Sequence, residues 1–273
     1  MSKTVLIILI ITSFLFLMAF YWTVLTSFKP PQEVLTYPPG FITTNPTLIQ
    51  YEKLFTAANG IFLRYIGNTF MLCGLSIALV LFQSILGGYS LSKLSFKGSN
   101  VIFLIILSII MVPYQSLLIP LYDLLNKMGL LDTIPGLALI YSTFYMPFCL
   151  FMMKNYFSSL PIALRESALI DGASELKILL KVHLPLALPA VATAVVYVFL
   201  QTWNDFILSL IFTSSSDVRN VQVGIMNFAT SRFTQDWGLI NAGATFSIIP
   251  SILIFLLLQK YYVQGMTSGT TKE

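Results

Sequence analysis

Charge is scarce in this sequence. Asp, Glu, Lys and Arg together make up 10% of 273 residues, where a water-soluble domain carries about 25%. With 56% apolar residues, that deficit excludes an ordinary soluble domain and makes lipid the solvent. Histidine occurs once, at His183. There is no H-E-x-x-H pair and no G-x-S-x-G nucleophile elbow, so no catalytic cluster supports a membrane enzyme. No G-x-x-x-x-G-K-[ST] phosphate loop occurs either, and the chain is not expected to hydrolyse ATP. No cofactor or metal is expected to be bound by it. Cysteine is limited to Cys73 and Cys149; both fall in apolar runs, form no metal-ligand spacing and read as packing residues. The net charge of +4 is too small and dispersed to suggest a nucleic acid partner.

What is present is length without charge. A helix needs about 20 apolar residues to cross the hydrocarbon core, and six charge-free runs meet that demand. They lie between Lys3 and Lys29, Arg64 and Lys93, Lys97 and Asp123, Asp132 and Lys154, Lys181 and Asp205, and Asp236 and Lys260. A barrel would instead show segments of about ten residues with alternating hydrophobicity. The expected fold is all-α: a polytopic membrane protein with six transmembrane helices in a single domain over 1–273, spans near 5–27, 67–90, 101–121, 134–153, 189–211 and 240–261, and a long loop at 154–188. The first run is too long for a signal-peptide core of about 7 to 15 residues and reads as a retained span.

Basic residues set the orientation. With the N-terminus cytoplasmic, the inner segments hold Lys3, Lys93, Lys97, Lys154, Arg165, Lys177, Lys181, Lys260 and Lys272; the outer ones hold Lys29, Lys53, Arg64, Lys127, Arg219 and Arg232. Both termini are then cytoplasmic. The outer loops are substantial. One, Lys29 to Arg64, carries a short amphipathic stretch from Ile49 to Leu54, and the last runs from Ser214 to Gly238. Loops of that length usually have a function or are disordered. Tyr21, Trp22, Trp203 and Trp237 fall where an aromatic belt meets headgroups.

The inner loop carries the most specific pattern. Pro161 suits a first helical turn, with Ser158 or Ser159 near the cap, and Gly172 suits the residue just past a helix end. A second short helix is expected from Glu175 to about His183, capped by Ser174, with Pro185 and Pro189 governing the start of the next span. Ile162, Leu169, Arg165 and Glu166 share a side that suits a groove on another protein, because helices this short persist mainly by packing. His183 reads as a surface residue at a helix end.

Glu166-Ser167-Ala168, three residues, Gly172, nine residues, then Val182-His183-Leu184-Pro185 resembles the cytoplasmic EAA loop of ABC importer permeases. Ser167 and Val182 depart from that pattern by close-sized replacements. Ser27-Phe28-Lys29, Tyr89-Ser90-Leu91-Ser92, Met111-Val112-Pro113, Trp203-Asn204-Asp205-Phe206, Asp236-Trp237-Gly238 and Gln264-Gly265-Met266-Thr267-Ser268-Gly269 look like the smaller permease of carbohydrate uptake systems, the maltose permease type.

The resemblance implies an import subunit for a sugar or oligosaccharide in a bacterial plasma membrane. It implies four kinds of partner: a second homologous permease, two copies of a cytoplasmic ATPase that uses ATP and Mg, an extracytoplasmic binding protein, and lipid. Arg165, Glu166, Ser167, Ala168, Asp171, Gly172, Leu184 and Pro185 would form the ATPase-coupling surface, and the tail after Gln264 would add to it. The last outer loop would meet the binding protein.

Asn204, Asp205, Tyr145 and Gln115, with Gln83, Tyr114, Tyr141 and Gln201, are candidates to line a pathway or to hydrogen-bond between helices. Asp205 is a functional candidate by its depth or an interfacial carboxylate helped by Asn204 and Trp203. The competing class is a secondary transporter or channel with its own site at interrupted helices, for which Pro113, Pro120 and Pro147 are suitable.

Overall fold

The computed structural model describes residues 3–94, 96–229 and 236–267, and among these the regular structure is helical with no strand. Arg232, Gln235, Ser268, Gly269 and Lys272 lie outside the described residues. Helix α1 spans Lys3–Ser27, α2 Pro31–Val34, α3 Ile49–Lys93, α4 Ser99–Ser108, α5 Leu118–Lys127 and α6 Ile134–Ser159. The chain continues through α7 (Ala163–Ile170), α8 (Glu175–Ile178), α9 (Leu184–Leu186), α10 (Leu188–Trp203), α11 (Ile207–Phe212), α12 (Val221–Ala229) and α13 (Trp237–Thr267).

Among the described residues four helices, α1, α3, α6 and α13, are each long and apolar enough to cross a membrane, or up to six segments if each of two bent pairs is one span. The third expected span breaks at Pro113: Ser99–Met111 and Tyr114–Lys127 meet at 93°. Proline removes a helical donor and pushes its predecessor toward extended backbone, and Val112 has ψ of 119°. The fifth is bent by 79° between Glu175–Leu186 and Leu188–Trp203, so α8 and α9 run at a steep angle to α10. It unwinds again at 204–206 before α11. Pro147 and Pro250 sit inside α6 and α13 without ending them.

Helix α6 is the axis of the fold, with 56% of its most apolar window buried, whereas the corresponding window of α1 has none. Helices α3 and α6 cross closely at Gly88, where an added Cβ would stand 2.8 Å from Met153 Cβ and 3.0 Å from the Lys154 amide nitrogen. Leu72, Leu137, Ala138 and Tyr141 form one core layer with Leu208 and Phe212. Cys149 packs with Val80, Ala194 and Val198, and Cys73 with Phe199 and Trp203.

The amphipathic stretch near Ile49 is a helical segment of its own, separated from the span by non-helical residues 57–60. It buries Gln50 and Leu54 completely. Lys29 is 2% exposed, its Nζ donating to Gly40 O at 2.7 Å over the Trp22 ring. Tyr21 and Trp237 are about half exposed. Trp203 is not a belt residue: it is fully buried, stacked on Phe199, and its Nε1 donates to Ser247 O at 2.9 Å. Its polar handle is satisfied by α13 rather than by headgroups.

Candidate functional site

Two sites arise from this framework. At one end of the bundle, beyond α6, α7 is a helix of 8 residues ending in a left-handed turn at Gly172, φ 73°. The Ala173 amide bonds to Ala168 O and the Gly172 amide to Leu169 O, both at 3.0 Å. Those two bonds form a Schellman closure, which satisfies carbonyls that the helix end would otherwise orphan. No atom stands within 4 Å of a Cβ added at Gly172, so the backbone conformation alone requires glycine there.

The serine caps expected from sequence are not made. Ser159 ends α6, Ile162 is the residue before α7, and neither Ile162 nor Ser174 supplies a capping side-chain bond. The loop is held by longer-range contacts instead. Glu175 Oε1 accepts from the Arg165 guanidinium, Oε2 accepts from Arg165 Nε at 3.2 Å, and Oε2 also accepts from the Tyr89 hydroxyl at 2.7 Å. Lys93 Nζ donates to Leu160 O at 2.6 Å, and Tyr156 OH to Leu186 O at 2.9 Å. The Arg165 hydrogen bond holds the Glu175 carboxyl below its ordinary range, against the effect of burial, with Tyr89 assisting.

His183 is buried, not a surface residue. It closes a π-helical turn, Leu179–His183, and its ring sits edge-on to Tyr89 at 5.2 Å, beside Phe157. Burial pushes its pKa below the usual 6.5, reinforced by the Lys93 charge. Beneath it, Leu179, Met153, Ala187 and Ala190 form a compact cluster with Tyr89 and Phe157.

The outward side of α7 is the opposite in character. Ile170 is 87% exposed, Ile162 49% and Leu169 40%. Glu166, Ser167, Asp171, Gly172 and Pro185 are also exposed, and Ala168 and Leu184 partly so. A short helix with its apolar side bare and its back locked to the protein is a surface built to be covered.

The second site is a cavity of about 610 Å³ between the bent third span, α6, α10 and the unwound 204–206 segment. It brings together Tyr145, Asn204, Asp205, Tyr114 and Gln201. Gln115 is exposed and does not line it, and Tyr141 and Gln83 are likewise not part of the wall. Asp205 is held from within. Its Oδ2 accepts from Tyr141 OH at 2.6 Å and Ser209 N at 2.9 Å, Oδ1 accepts a longer bond from Leu208 N at 3.4 Å, and Asn220 donates to its carbonyl at 2.7 Å. This carboxylate caps α11 and pins the break. Asn204 does not assist it; its Nδ2 donates to Leu200 O.

Sequence reasoning missed Tyr197, Phe144 and Phe148 on the cavity wall and Tyr89, Lys93 and Glu175 in the loop clasp. Only the opposite charges of Arg165 and Glu175, ten residues apart, offered a signal.

At the other end of α3 and α6, residues 213–221 are latched down. Asp132 Oδ1 accepts the Ser214 amide at 2.8 Å, Asn68 donates to Asp217 O and Arg219 O, and the Val221 amide donates to Thr69 Oγ1.

A helical protein with up to six apolar spans among its described residues, a largely apolar cleft at a helix break and a short exposed helix beyond the spans has the make-up of a polytopic membrane transport protein. Residues 83–268 match the family model described as "Binding-protein-dependent transport system inner membrane component", and the chain belongs to that family of ABC importer permeases. It is 32% identical to the trehalose/maltose transport system permease MalG of Thermococcus litoralis, covering 99% of this chain and 97% of that one. It is also 32% identical to the sulfoquinovosyl glycerol transport permease SmoH of Agrobacterium fabrum, over 92% of this chain and 87% of the relative.

Among solved structures, one chain of a bacterial ABC transporter that imports the acidic polysaccharide alginate has the same fold. The TM-score is 0.81 and the identity 24%, with coverage of 96% and 99% of the two chains. The MetNI methionine transporter is a more distant match in fold, with TM-score 0.59 and 15% identity over 75% of this chain and 96% of that one.

Proposed function

We propose that this permease forms half of an import pathway for a sugar or oligosaccharide. A second homologous permease supplies the other half, and two copies of a cytoplasmic ATPase drive it. The observation that carries the reading is the bare apolar side of α7, Ile162, Leu169 and Ile170, on a helix tied by Arg165 and Glu175 to the end of α3. In this reading α7 rests in a cleft of the ATPase, with Glu166 and Asp171 facing it and the Gly172 elbow returning the chain to Leu184, Pro185 and α10. Closure of the ATPase dimer moves α7 as a rigid body, and the spans follow. ATP and Mg are used by that partner. Both termini are cytoplasmic in a bacterial plasma membrane, and the latched 213–221 loop offers a firm outer surface to an extracytoplasmic binding protein.

The relatives that transport trehalose/maltose and arabinooligosaccharides support a carbohydrate solute. Affinity purification of the intact chain from its native membrane tests the assembly. Recovery of an ATPase and a second permease is expected, and Glu166→Lys should abolish solute-stimulated ATP hydrolysis without loss of membrane insertion. A lone chain that transports on an ion gradient would sink the reading in favour of a secondary transporter.

A further inference from the structure

We propose that Gln50 is a positioning residue of the import cycle, a role that rests on the permease reading above. Wedged against Gly238, its side chain sets the first turn of α13, where the last outer loop ends. Through that turn it governs how strongly a solute-loaded binding protein stimulates ATP hydrolysis.

Gln50 has no exposed surface. A Cβ added at Gly238 would stand 2.2 Å from its Nε2 and 2.4 Å from its Cδ, so the amide lies directly on the α13 backbone at a distance that glycine alone admits. Its hydrogen bonding is poor for so buried a group: Nε2 donates to Lys29 O at 3.4 Å, and Oε1 has no partner. A buried amide kept for its polarity would be satisfied. What Gln50 supplies is volume at a fixed place.

That place is fixed from both sides. Toward α1, Tyr51 OH and Ser27 Oγ share a hydrogen bond of 2.8 Å, and the Tyr51 and Phe28 rings meet at 5.4 Å. Toward α13, Lys53 Nζ stands 3.7 Å from Asp236 Oδ2, while Asp236 Oδ1 accepts the Leu239 amide at 3.1 Å and caps the helix. The chain then leaves the segment through Ala58, Asn59 and Gly60, at φ 48°, 59° and 78°, so its direction is set by side-chain contacts and not by helical continuity with α3. The segment is a strap from the end of α1 to the start of α13, and Gln50 is its spacer. From there α13 reaches the other sites through Ser247, whose carbonyl accepts from Trp203 at the end of α10. Helix α10 leads back to Pro185 and the loop that carries α7.

The test uses the complete transporter, purified through this chain and reconstituted in lipid, and measures ATP hydrolysis with and without its binding protein, isolated with its own solute bound. Gly238→Ala overfills the seat and Gln50→Ala empties it; each should lower the stimulation severalfold while unstimulated hydrolysis and the melting temperature stay near the wild type. Gln50→Met, which fills the same space without an amide, should keep more than half of the stimulation. The double variant Gln50→Ala with Gly238→Ala should exceed either single one, because the added methyl enters the space the glutamine vacates. Stimulation unchanged in both single variants overturns the proposal, as does Gln50→Met no better than Gln50→Ala, or unstimulated hydrolysis and stability falling together with the stimulation. If Gly238→Ala fails to assemble, the contrast between Gln50→Met and Gln50→Ala decides. Failure of the permease reading is a separate result, visible beforehand as the absence of an ATPase from the purified complex.

Discussion

The Tyr89 hydroxyl donates to Glu175 Oε2 at 2.7 Å across 86 residues of chain. That one bond connects the C-terminal end of α3 to the loop that carries α7, and Arg165 closes the link by gripping the same carboxylate from α7 itself. Helix α3 in turn packs along α6 through Gly88 and Met153. In the proposed coupling, displacement of α7 would reach two spans at once through these contacts, not only α10 through the backbone.

Loosening this clasp should uncouple without unfolding. The Arg165–Glu175 pair is partly solvent exposed, so its removal costs about 1 kcal/mol or less; loss of the Tyr89 hydrogen bond costs about 1 kcal/mol. Tyr89→Phe and Glu175→Gln should lower solute-stimulated ATP hydrolysis severalfold while the melting temperature of the complex falls by only a few degrees. Because both touch one carboxylate, the double variant should lose less than the sum of the two. Full additivity would argue against a shared device.

Gly172 stands at φ 73° with open space around it. Gly172→Val should therefore cost about 1 to 2 kcal/mol in backbone strain and abolish coupling, whereas Gly172→Asn should retain much of both, since asparagine tolerates that conformation. ATP-dependent solute uptake into vesicles measures the difference. Equal activity of the two variants would show that the elbow is not constrained.

Asp205 is a structural pin. Asp205→Ala should strip the cap from α11 and leave the buried Tyr141 hydroxyl without its acceptor, a loss of about 1.5 to 3 kcal/mol for a hydrogen-bonded charge. Tyr141→Phe should cost about 1 kcal/mol. Thermal unfolding of the solubilised complex reports both. A neutral outcome for Asp205→Ala would return that residue to a pathway role alone.

His183 predicts a pH dependence of definite sign. Its folded pKa is depressed below 6.5 by burial and by Lys93, with Glu175 acting in the opposite sense and Arg165 in the same. The contribution of the seated imidazole is fully present above pH 6.5 and is lost as the pH falls toward the folded value, because the unseated loop takes up the proton first. Stimulated ATP hydrolysis should decline between pH 6.5 and 5 more steeply in the wild type than in His183→Leu. Parallel profiles would remove His183 from the cause.

The all-helical membrane fold was legible because apolar length is a one-dimensional property, and the Gly172 elbow because glycine at a helix end has a local meaning. The bends were not. Hydropathy counts residues without direction, so Pro113 could be suspected but its 93° turn could not. Trp203 was misread for the same reason: at a span end, a tryptophan facing headgroups and one donating to Ser247 on another helix look alike. Asp205 was legible as a candidate, but its engagement by Tyr141, 64 positions away, is a tertiary fact. The serine cap expected before α7 failed because α6 runs through Ser159 and α7 begins only at Ala163.

The central claim is that α7 delivers the force of an external ATPase, and a photoreactive residue at Ile170, exposed on that helix, tests it most directly. Illumination of native membranes should capture an ATP-hydrolysing subunit at position 170, with a yield that changes when ATP is bound. Absence of any ATPase adduct at 170, in membranes where the chain still imports its solute, would contradict the claim.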